Sequence, residues 1–331
     1  MIASLQGAHA SIGDRSLAYQ QCTSACRRTC EDGSHAPLSL PLKITLWSCA
    51  DDCSYECMHN LTDYAISPDT SFTEKISSLP GLPPNRVVQY HGKWPFYRLL
   101  GIQEPLSVLF SAGNMYMHIK YGLSLPQRLP SDLPKPLVSA LKTLPIVGIN
   151  LWTWSIVFHT RDKPITEKLD YFSAALAMLC NLYYAIIRLS GIHQDTKGHL
   201  ALRRALIWLL CAIFVSHISY LSLWRFDYSY NMLFNVSIGI SHNLLWLGWT
   251  FDLSSQRAPH YLRPAVVLTL LSSLTALELL DFPPIFRSLD AHALWHLATI
   301  PVIKWWYECL VIDAWWQCGH QVPAKSKKSR S

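Results

Sequence analysis

Residues 137–158 read LVSALKTLPIVGINLWTWSIVF, an apolar run that contains a single charged side chain. A helix of about 20 such residues crosses the hydrocarbon core of a bilayer. Half of the 331 residues are hydrophobic and only 15% are charged. A soluble domain carries about a quarter charged residues. The chain is therefore predicted to be a membrane protein.

Seven runs of this kind follow one another after residue 100, which predicts an all-α fold with a seven-transmembrane helix bundle. Residues 1–95 are polar and rich in cysteine. We expect three parts: a lumenal ectodomain at 1–95, a seven-helix membrane domain at 96–316 and a basic cytoplasmic tail at 317–331. The predicted spans are Pro105–Lys120, Leu137–Phe158, Lys168–Leu189, Ala201–Leu223, Tyr228–Leu247, Tyr261–Leu280 and Leu289–Ile312.

Positive charge sets the predicted orientation. The loops on one side of the predicted spans, and the tail with them, carry more lysine and arginine than the loops on the other side. Cytoplasmic loops carry such an excess, so we expect a cytoplasmic C-terminus and a lumenal N-terminus. The net charge of +6 agrees with this orientation. The sequence contains no basic stripe and no nucleic-acid-binding motif, so a nucleic-acid partner is not predicted.

Six of the ten cysteines fall before residue 60, in two stripes with a spacing of four residues. On a helix each stripe lies along one face, and two facing stripes make an antiparallel helical hairpin. Six cysteines allow fifteen pairings. The alternative is a metal cluster, but zinc sites use tighter pairs of cysteines. The antiparallel geometry favours the disulfides Cys22–Cys57, Cys26–Cys53 and Cys30–Cys49.

Disulfides require an oxidising compartment, which agrees with a lumenal ectodomain. Asn60 opens a glycosylation triplet in the same segment, whereas the triplet at Asn235 lies inside a predicted span and is disregarded. A lumenal domain normally follows a signal peptide, but Met1–Gly13 has no apolar core. We therefore expect an incomplete start, with export by the first span as the alternative.

Three histidines gather where the spans meet the predicted lumenal surface. His159 ends the second span, and His292 and His296 lie one helical turn apart in the last span. A histidine pair at this spacing is weak evidence alone, but a third histidine from another span on the same side strengthens it. Three protein ligands with an open fourth position are typical of catalytic zinc. The sequence predicts that these histidines bind Zn²⁺.

Two further residues complete the predicted catalytic site. Asp170 opens the third span, one short loop after His159, and could act as general base toward a water that zinc activates. Ser155 lies one turn before His159 and could hydrogen-bond the water or the developing oxyanion.

The same residues resemble a known family. The order Ser-x3-His, Asp, His-x3-His resembles a superfamily of membrane hydrolases that includes alkaline ceramidases and the adiponectin and progestin receptors. A closer resemblance is to the PER-like family. It is carried by the stretches HGKWPF (91–96), VFHTRD (157–162), TEKLDYF (166–172), SYLSLWRFDYSYN (219–231), LELLDFPP (277–284) and LDAHALWH (289–296).

The resemblance implies a hydrolase of the phospholipase A2 type. Its substrates would be proteins with a glycosylphosphatidylinositol (GPI) anchor, from which it removes the sn-2 fatty acid, and membrane lipids would be its surroundings. We expect the endoplasmic reticulum membrane as its location, with the Golgi membrane as the alternative. Two other functions stay open: a seven-span receptor or scaffold with a structural metal, and a ceramidase-like amide hydrolase.

Overall fold

The computed structural model describes residues 11–194, 196–252, 258–280 and 282–321, except for the side chains at 278 and 279. Within these residues the regular elements are helices, and the β-bridges are isolated, so the all-α prediction is confirmed. The helices are α1 (Ile12–Arg15), α2 (Leu17–Glu31), α3 (Leu40–Ile44), α4 (Cys49–Ile66), α5 (Phe72–Ser78), α6 (Pro105–Met117), α7 (Lys135–Thr160), α8 (Pro164–Leu189), α9 (Lys197–Ser219), α10 (Tyr228–Phe251), α11 (Leu262–Thr275) and α12 (Ala291–Gln317).

The chain forms two compact units, which we call the N-terminal unit and the helical unit. Helices α6, α7 and α12 have residues in both. The three parts predicted at 1–95, 96–316 and 317–331 stay a prediction, and most of the last lies outside the described residues. The N-terminal unit comprises the chain up to Val108, His159–Arg161 and Leu280–Leu294, and the helical unit comprises Leu109–Phe158, Asp162–Leu279 and the chain from Trp295.

Disulfides join α2 to α4 in the N-terminal unit. The hydroxyl of Ser16 accepts the N–H of Tyr19 at the start of α2, and Ser48 makes a capping box with Asp51 at the start of α4. These caps fix where the two cysteine stripes begin. The bonds are Cys22–Cys57, Cys26–Cys53 and Cys30–Cys49, as the antiparallel geometry predicted.

Among the described residues, three helices are long enough and apolar enough to cross a membrane. They are α7, α8 and α9, the last extended by a π-helical turn to Trp224. A shorter apolar helix, α11, lies in another predicted span. The three remaining predicted spans coincide with α6, α10 and α12. The chain has the character of a membrane protein, and the number of seven spans stays a prediction.

A buried ion pair joins α8 to α12 in the helical unit. The guanidinium of Arg188 donates to both carboxylate oxygens of Asp313, at 2.8 and 2.7 Å. His260 Nε2 lies 3.2 Å from the same carboxylate. Asp313 is completely buried. Charges inside an apolar bundle are costly unless they are paired, so this contact constrains how the two helices pack.

We expect the middle disulfide to contribute measurably to stability. Replacing Cys26 and Cys53 together by alanine removes a constraint on the unfolded chain. The free energy of unfolding should fall by about 2–4 kcal/mol. Thermal unfolding of the purified protein in detergent measures the effect. Cys211→Ala is the control, because Cys211 is exposed and free. Equal melting temperatures for the two variants would contradict the expectation.

Removal of the Asp313 carboxylate should be more damaging, because it leaves Arg188 buried without this partner. Asp313→Ala is expected to lower the free energy of unfolding by about 3–5 kcal/mol. The double variant Arg188→Met with Asp313→Leu should recover most of that lost stability. A double-mutant cycle in detergent gives these values. Glu308→Ala is the control and should cost less than about 1 kcal/mol, since its pair with Lys304 at 4.0 Å is partly exposed.

Candidate metal centre

Two backbone hydrogen bonds hold the segment before α6 against the end of α7 in the N-terminal unit. The N–H of Gln103 donates to the carbonyl of Thr160, and the N–H of Glu104 donates to the carbonyl of His159, both at 3.0 Å. Helix α6 then begins at Pro105, a residue that suits the first position of a helix. The side chains of Glu104 and His159 are therefore neighbours.

A chain of polar contacts runs through this point. The ammonium of Lys93 lies 2.7 Å from Glu104 Oε1, and Glu104 Oε2 accepts from His159 Nδ1 at 2.7 Å. His159 Nε2 lies 3.2 Å from His292 Nε2. Glu104 is 6% exposed and His159 is 2% exposed. Charge-assisted contacts in so buried a place are strong, and they fix the direction of the His159 ring.

A tight turn positions Lys93. Tyr90 and Lys93 exchange two backbone hydrogen bonds, at 2.7 and 2.9 Å. Between them His91 and Gly92 have φ of 51° and 78°, a conformation that glycine adopts without strain. The N–H of His91 donates to Asp14 at 2.8 Å, which connects the turn to α1. Lys93 is therefore held at Glu104 by a closed backbone turn.

Glu104 is a carboxylate in this setting. Burial raises the pKa of the Glu104 carboxyl, but the Lys93 ammonium and His159 lower it further, so that the pKa lies below its usual range. An ionised carboxylate accepts a proton donor at His159 Nδ1. We infer that His159 carries its proton on Nδ1, which leaves the Nε2 lone pair directed at His292.

The pair of imidazoles fits a zinc ion. Two nitrogens at about 2.0–2.1 Å from a tetrahedral zinc lie roughly 3.4 Å apart. The 3.2 Å between the Nε2 atoms of His159 and His292 is close to that separation. A carboxylate on the far nitrogen of a ligand histidine is also typical of zinc proteins. The residues present therefore have the donor atoms and the support that zinc requires.

His296 has its own polar surroundings in the helical unit. Ser111 Oγ lies 3.4 Å from His296 Nδ1 and 3.1 Å from Ser155 Oγ. The amide of Asn114 donates to the His296 carbonyl at 2.7 Å. Trp152 lies edge-on to the His296 ring. All of these side chains are buried, so α6 and α7 present a polar cluster to α12 here.

Helix α12 carries His292 and His296 one turn apart. His159 and His292, both in the N-terminal unit, each offer a ring nitrogen to a metal ion. His296 as the third ligand stays a prediction. Ser155 is next to Ser111. Asp170 lies near the start of α8, where the neighbouring Tyr171 contacts Phe158 of α7 edge to face. The placement of Asp170 against the histidines stays a prediction.

A second group of potential ligands lies in the N-terminal unit. It consists of His35 with Cys30, Cys49 and Cys53. All three sulfurs belong to disulfides. Metal ions bind cysteine as thiolate, so this group lacks the ligands for a metal while its disulfides are intact.

The sequence predictions did not include Glu104, Lys93, Ser111 and Asn114 in the site. A signal was present for the last two, because polar residues inside an apolar run usually have a function. Glu104 gave no such signal, since it lies just before that run and a carboxylate at a helix start is ordinary.

A comparison with protein-family models identifies the family of the chain. The model of the Per1-like family matches residues 39–314. This chain belongs to the Per1-like family. The matched residues include Lys93, Glu104, Asp170 and the three histidines of the centre. The family predicted from the signature stretches is thus confirmed.

Relatives of this Per1-like chain are similar over almost its whole length. A mouse protein named GPI-specific phospholipase A2-like PGAP3 is 40% identical, over 92% of this chain and 89% of its own length. The human protein of that name is 37% identical, over 93% and 90%. A Drosophila melanogaster protein named post-GPI attachment to proteins factor 3 is 37% identical, over 92% and 89%. No solved structure matches the chain.

We expect Glu104→Gln to weaken zinc binding. The amide keeps the shape of the side chain but loses the charge that attracts Lys93 and orients His159. Loss of such a partner lowers metal affinity by about 10–100-fold. The measurement is the zinc that the purified protein retains against a series of chelator concentrations.

The control for this variant is Glu56→Gln in the same unit. Its side chain is half-exposed and lies 3.5 Å from Arg98. This change should leave zinc retention as in the unmodified protein. Equal retention by both variants would show that Glu104 does not support the centre.

Proposed function

We propose that this protein is a zinc-dependent hydrolase that removes the sn-2 fatty acid from the GPI anchor of anchored proteins. The observation that carries the chemistry is the histidine cluster with its carboxylate support: His159 is oriented by Glu104 and faces His292, with His296 in the next turn of α12. The substrate follows from relatives named GPI-specific phospholipase A2-like proteins at 37–40% identity.

In this proposal His159, His292 and His296 hold the zinc ion. The metal would supply Lewis-acid chemistry where a lipid ester meets water. Glu104 keeps His159 in the tautomer that binds metal, and Lys93 keeps Glu104 charged. Asp170 is assigned as the general base and Ser155 as a donor to the carbonyl oxygen of the substrate. Ser111, at 3.1 Å from Ser155 Oγ, orients that hydroxyl.

The reaction balances as an ester hydrolysis. The oxygen of a water molecule forms a bond to the carbonyl carbon of the sn-2 ester while Asp170 takes a proton from that water. Ser155 hydrogen-bonds the carbonyl oxygen as negative charge grows on it. The bond from the carbonyl carbon to the glycerol oxygen then breaks, and that oxygen takes up the proton that Asp170 received from the water. The products are a free fatty acid and a lyso-anchor.

The proposed orientation places the N-terminus in the lumen of the endoplasmic reticulum and the C-terminus in the cytoplasm. The disulfides of the N-terminal unit support this side, because they require an oxidising compartment. Asn60 lies on the exposed surface of α4, where a glycan could be attached. The alternative location is the Golgi membrane, which offers the same chemistry.

Two variants test the proposed function in cells that lack their own enzyme of this kind. Asp170→Asn should lower the rate of sn-2 removal by about 10²–10⁴-fold, as loss of a general base does. His292→Ala should abolish it, because the metal loses a ligand. The measurement is mass spectrometry of anchors released from surface proteins, which resolves the sn-2 chain.

His35→Ala serves as the control, because His35 is partly exposed and belongs to the group of cysteines in the N-terminal unit. It should restore remodelling fully at equal abundance. Full restoration by His292→Ala would contradict the hydrolase and favour a scaffold with a structural metal. Normal anchors combined with altered ceramide levels would instead indicate an amide hydrolase.

A further inference from the structure

Three large apolar residues of the N-terminal unit combine strong exposure with a strained backbone. Phe286 is 89% exposed, and Leu46 and Leu100 are each 72% exposed. Their φ angles are 52°, 58° and 51°. Side chains with a Cβ rarely adopt this region. Each residue therefore combines two unfavourable features, and such outliers tend to persist where they have a function.

The three residues lie on neighbouring loops. Leu100 is at the tip of a turn closed by hydrogen bonds between Leu99 and Ile102, and Phe286 is in a turn closed between Ile285 and Leu289. The indole of Trp47, next to Leu46, donates to the carbonyl of Gly101 at 2.8 Å. The N–H of Tyr97 donates to the carbonyl of Arg287 at 2.9 Å. We call Leu46, Leu100 and Phe286 the apolar rim.

Two ion pairs hold these loops in place. Arg98 lies over the Tyr55 ring at 3.9 Å and pairs with Asp52 at 2.6 Å. Arg287 lies over the Tyr97 ring at 5.0 Å and pairs with Asp63 at 2.6 Å. Ion pairs backed by aromatic stacking are well fixed. The loops are therefore fixed in position, and they hold the side chains of the apolar rim in the solvent-exposed arrangement.

The position of the rim along the chain indicates what covers it. Leu100 precedes Gln103 by three residues, which is at most about 10 Å of chain. Gln103 is hydrogen-bonded to Thr160, the last residue of α7, one of the helices that can cross a membrane. The polar layer of a bilayer is about 5–8 Å thick on each side. A tip this close to the end of a span lies within reach of the polar layer of the bilayer.

The side chains around the apolar rim are of the types found in the interfacial layer of a membrane. Ile44 and Leu99 add exposed apolar surface beside Leu46 and Leu100. Tyr97 is half-exposed, and Lys43 is exposed on α3. Apolar tips flanked by an amphipathic ring and a basic side chain are typical of surfaces that lie in the membrane interface.

We propose that the apolar rim inserts into the interfacial layer of the membrane that α7 crosses. Its ligand is the glycerol and upper acyl region of phospholipids. The N-terminal unit is then anchored to the bilayer by these three apolar side chains, and this holds its Glu104 and His159 near the depth of lipid ester groups. The contact with lipid does not depend on the proposed hydrolase activity.

Photo-crosslinking tests the proposal. The full-length protein carries benzoylphenylalanine in place of Leu100 or of Phe286, and Phe72 of α5, also exposed, provides the control position. Each protein is reconstituted in phosphatidylcholine vesicles and irradiated. Only chains with the three disulfides intact are analysed by mass spectrometry, so a misfolded variant is excluded. We expect phosphatidylcholine adducts at positions 100 and 286 and background yield at position 72.

Two results would overturn the proposal. Crosslinks from positions 100 and 286 to a second copy of the chain, in place of lipid, would identify the rim as a protein interface. Lipid yields at these positions no higher than at position 72 would show that the rim stays in water. Since the assay measures lipid contact and not anchor hydrolysis, a failure of the proposed function would leave its outcome unchanged.

Discussion

The carboxylate of Glu104 is buried away from water, and an ion in such a place is stable only beside close partners. Lys93 and His159, each at 2.7 Å, are those partners. The contact therefore fixes two distant parts of the chain together: the turn that carries Lys93 and the last turn of α7. The direction of the His159 ring, and with it the contact with His292, follows from this one ionic group.

The helical unit obeys the same constraint with different residues. An apolar interior offers no water to unpaired polar groups, so polar side chains there contact each other. Arg188, Asp313 and His260 do so where α8 meets α12. Ser111, Ser155 and His296 do so elsewhere on α12. The first cluster has a ready structural explanation, whereas the second includes a ligand of the proposed metal centre.

Features set by local periodicity could be predicted from the sequence. Each predicted span contains a helix, because long apolar runs form helices in a membrane. The cysteine pairing could be predicted from the four-residue spacing within each stripe. His292 and His296 were recognised because one helix carries both. Lys93 and Glu104 are eleven positions apart and meet His159 only through the fold. The positive φ angles of Leu100 and Phe286 likewise could not be predicted, because leucine and phenylalanine rarely adopt them.

Zinc X-ray absorption spectroscopy of the purified protein tests the central claim most directly, namely that His159, His292 and His296 form a metal centre. The account predicts bound zinc with about three imidazole ligands at roughly 2.0–2.1 Å and no sulfur ligand. It also predicts that His292→Ala loses the metal or one imidazole from the spectrum. A protein that holds no zinc, a spectrum with cysteine sulfur at about 2.3 Å, or one that His292→Ala leaves unchanged would contradict it.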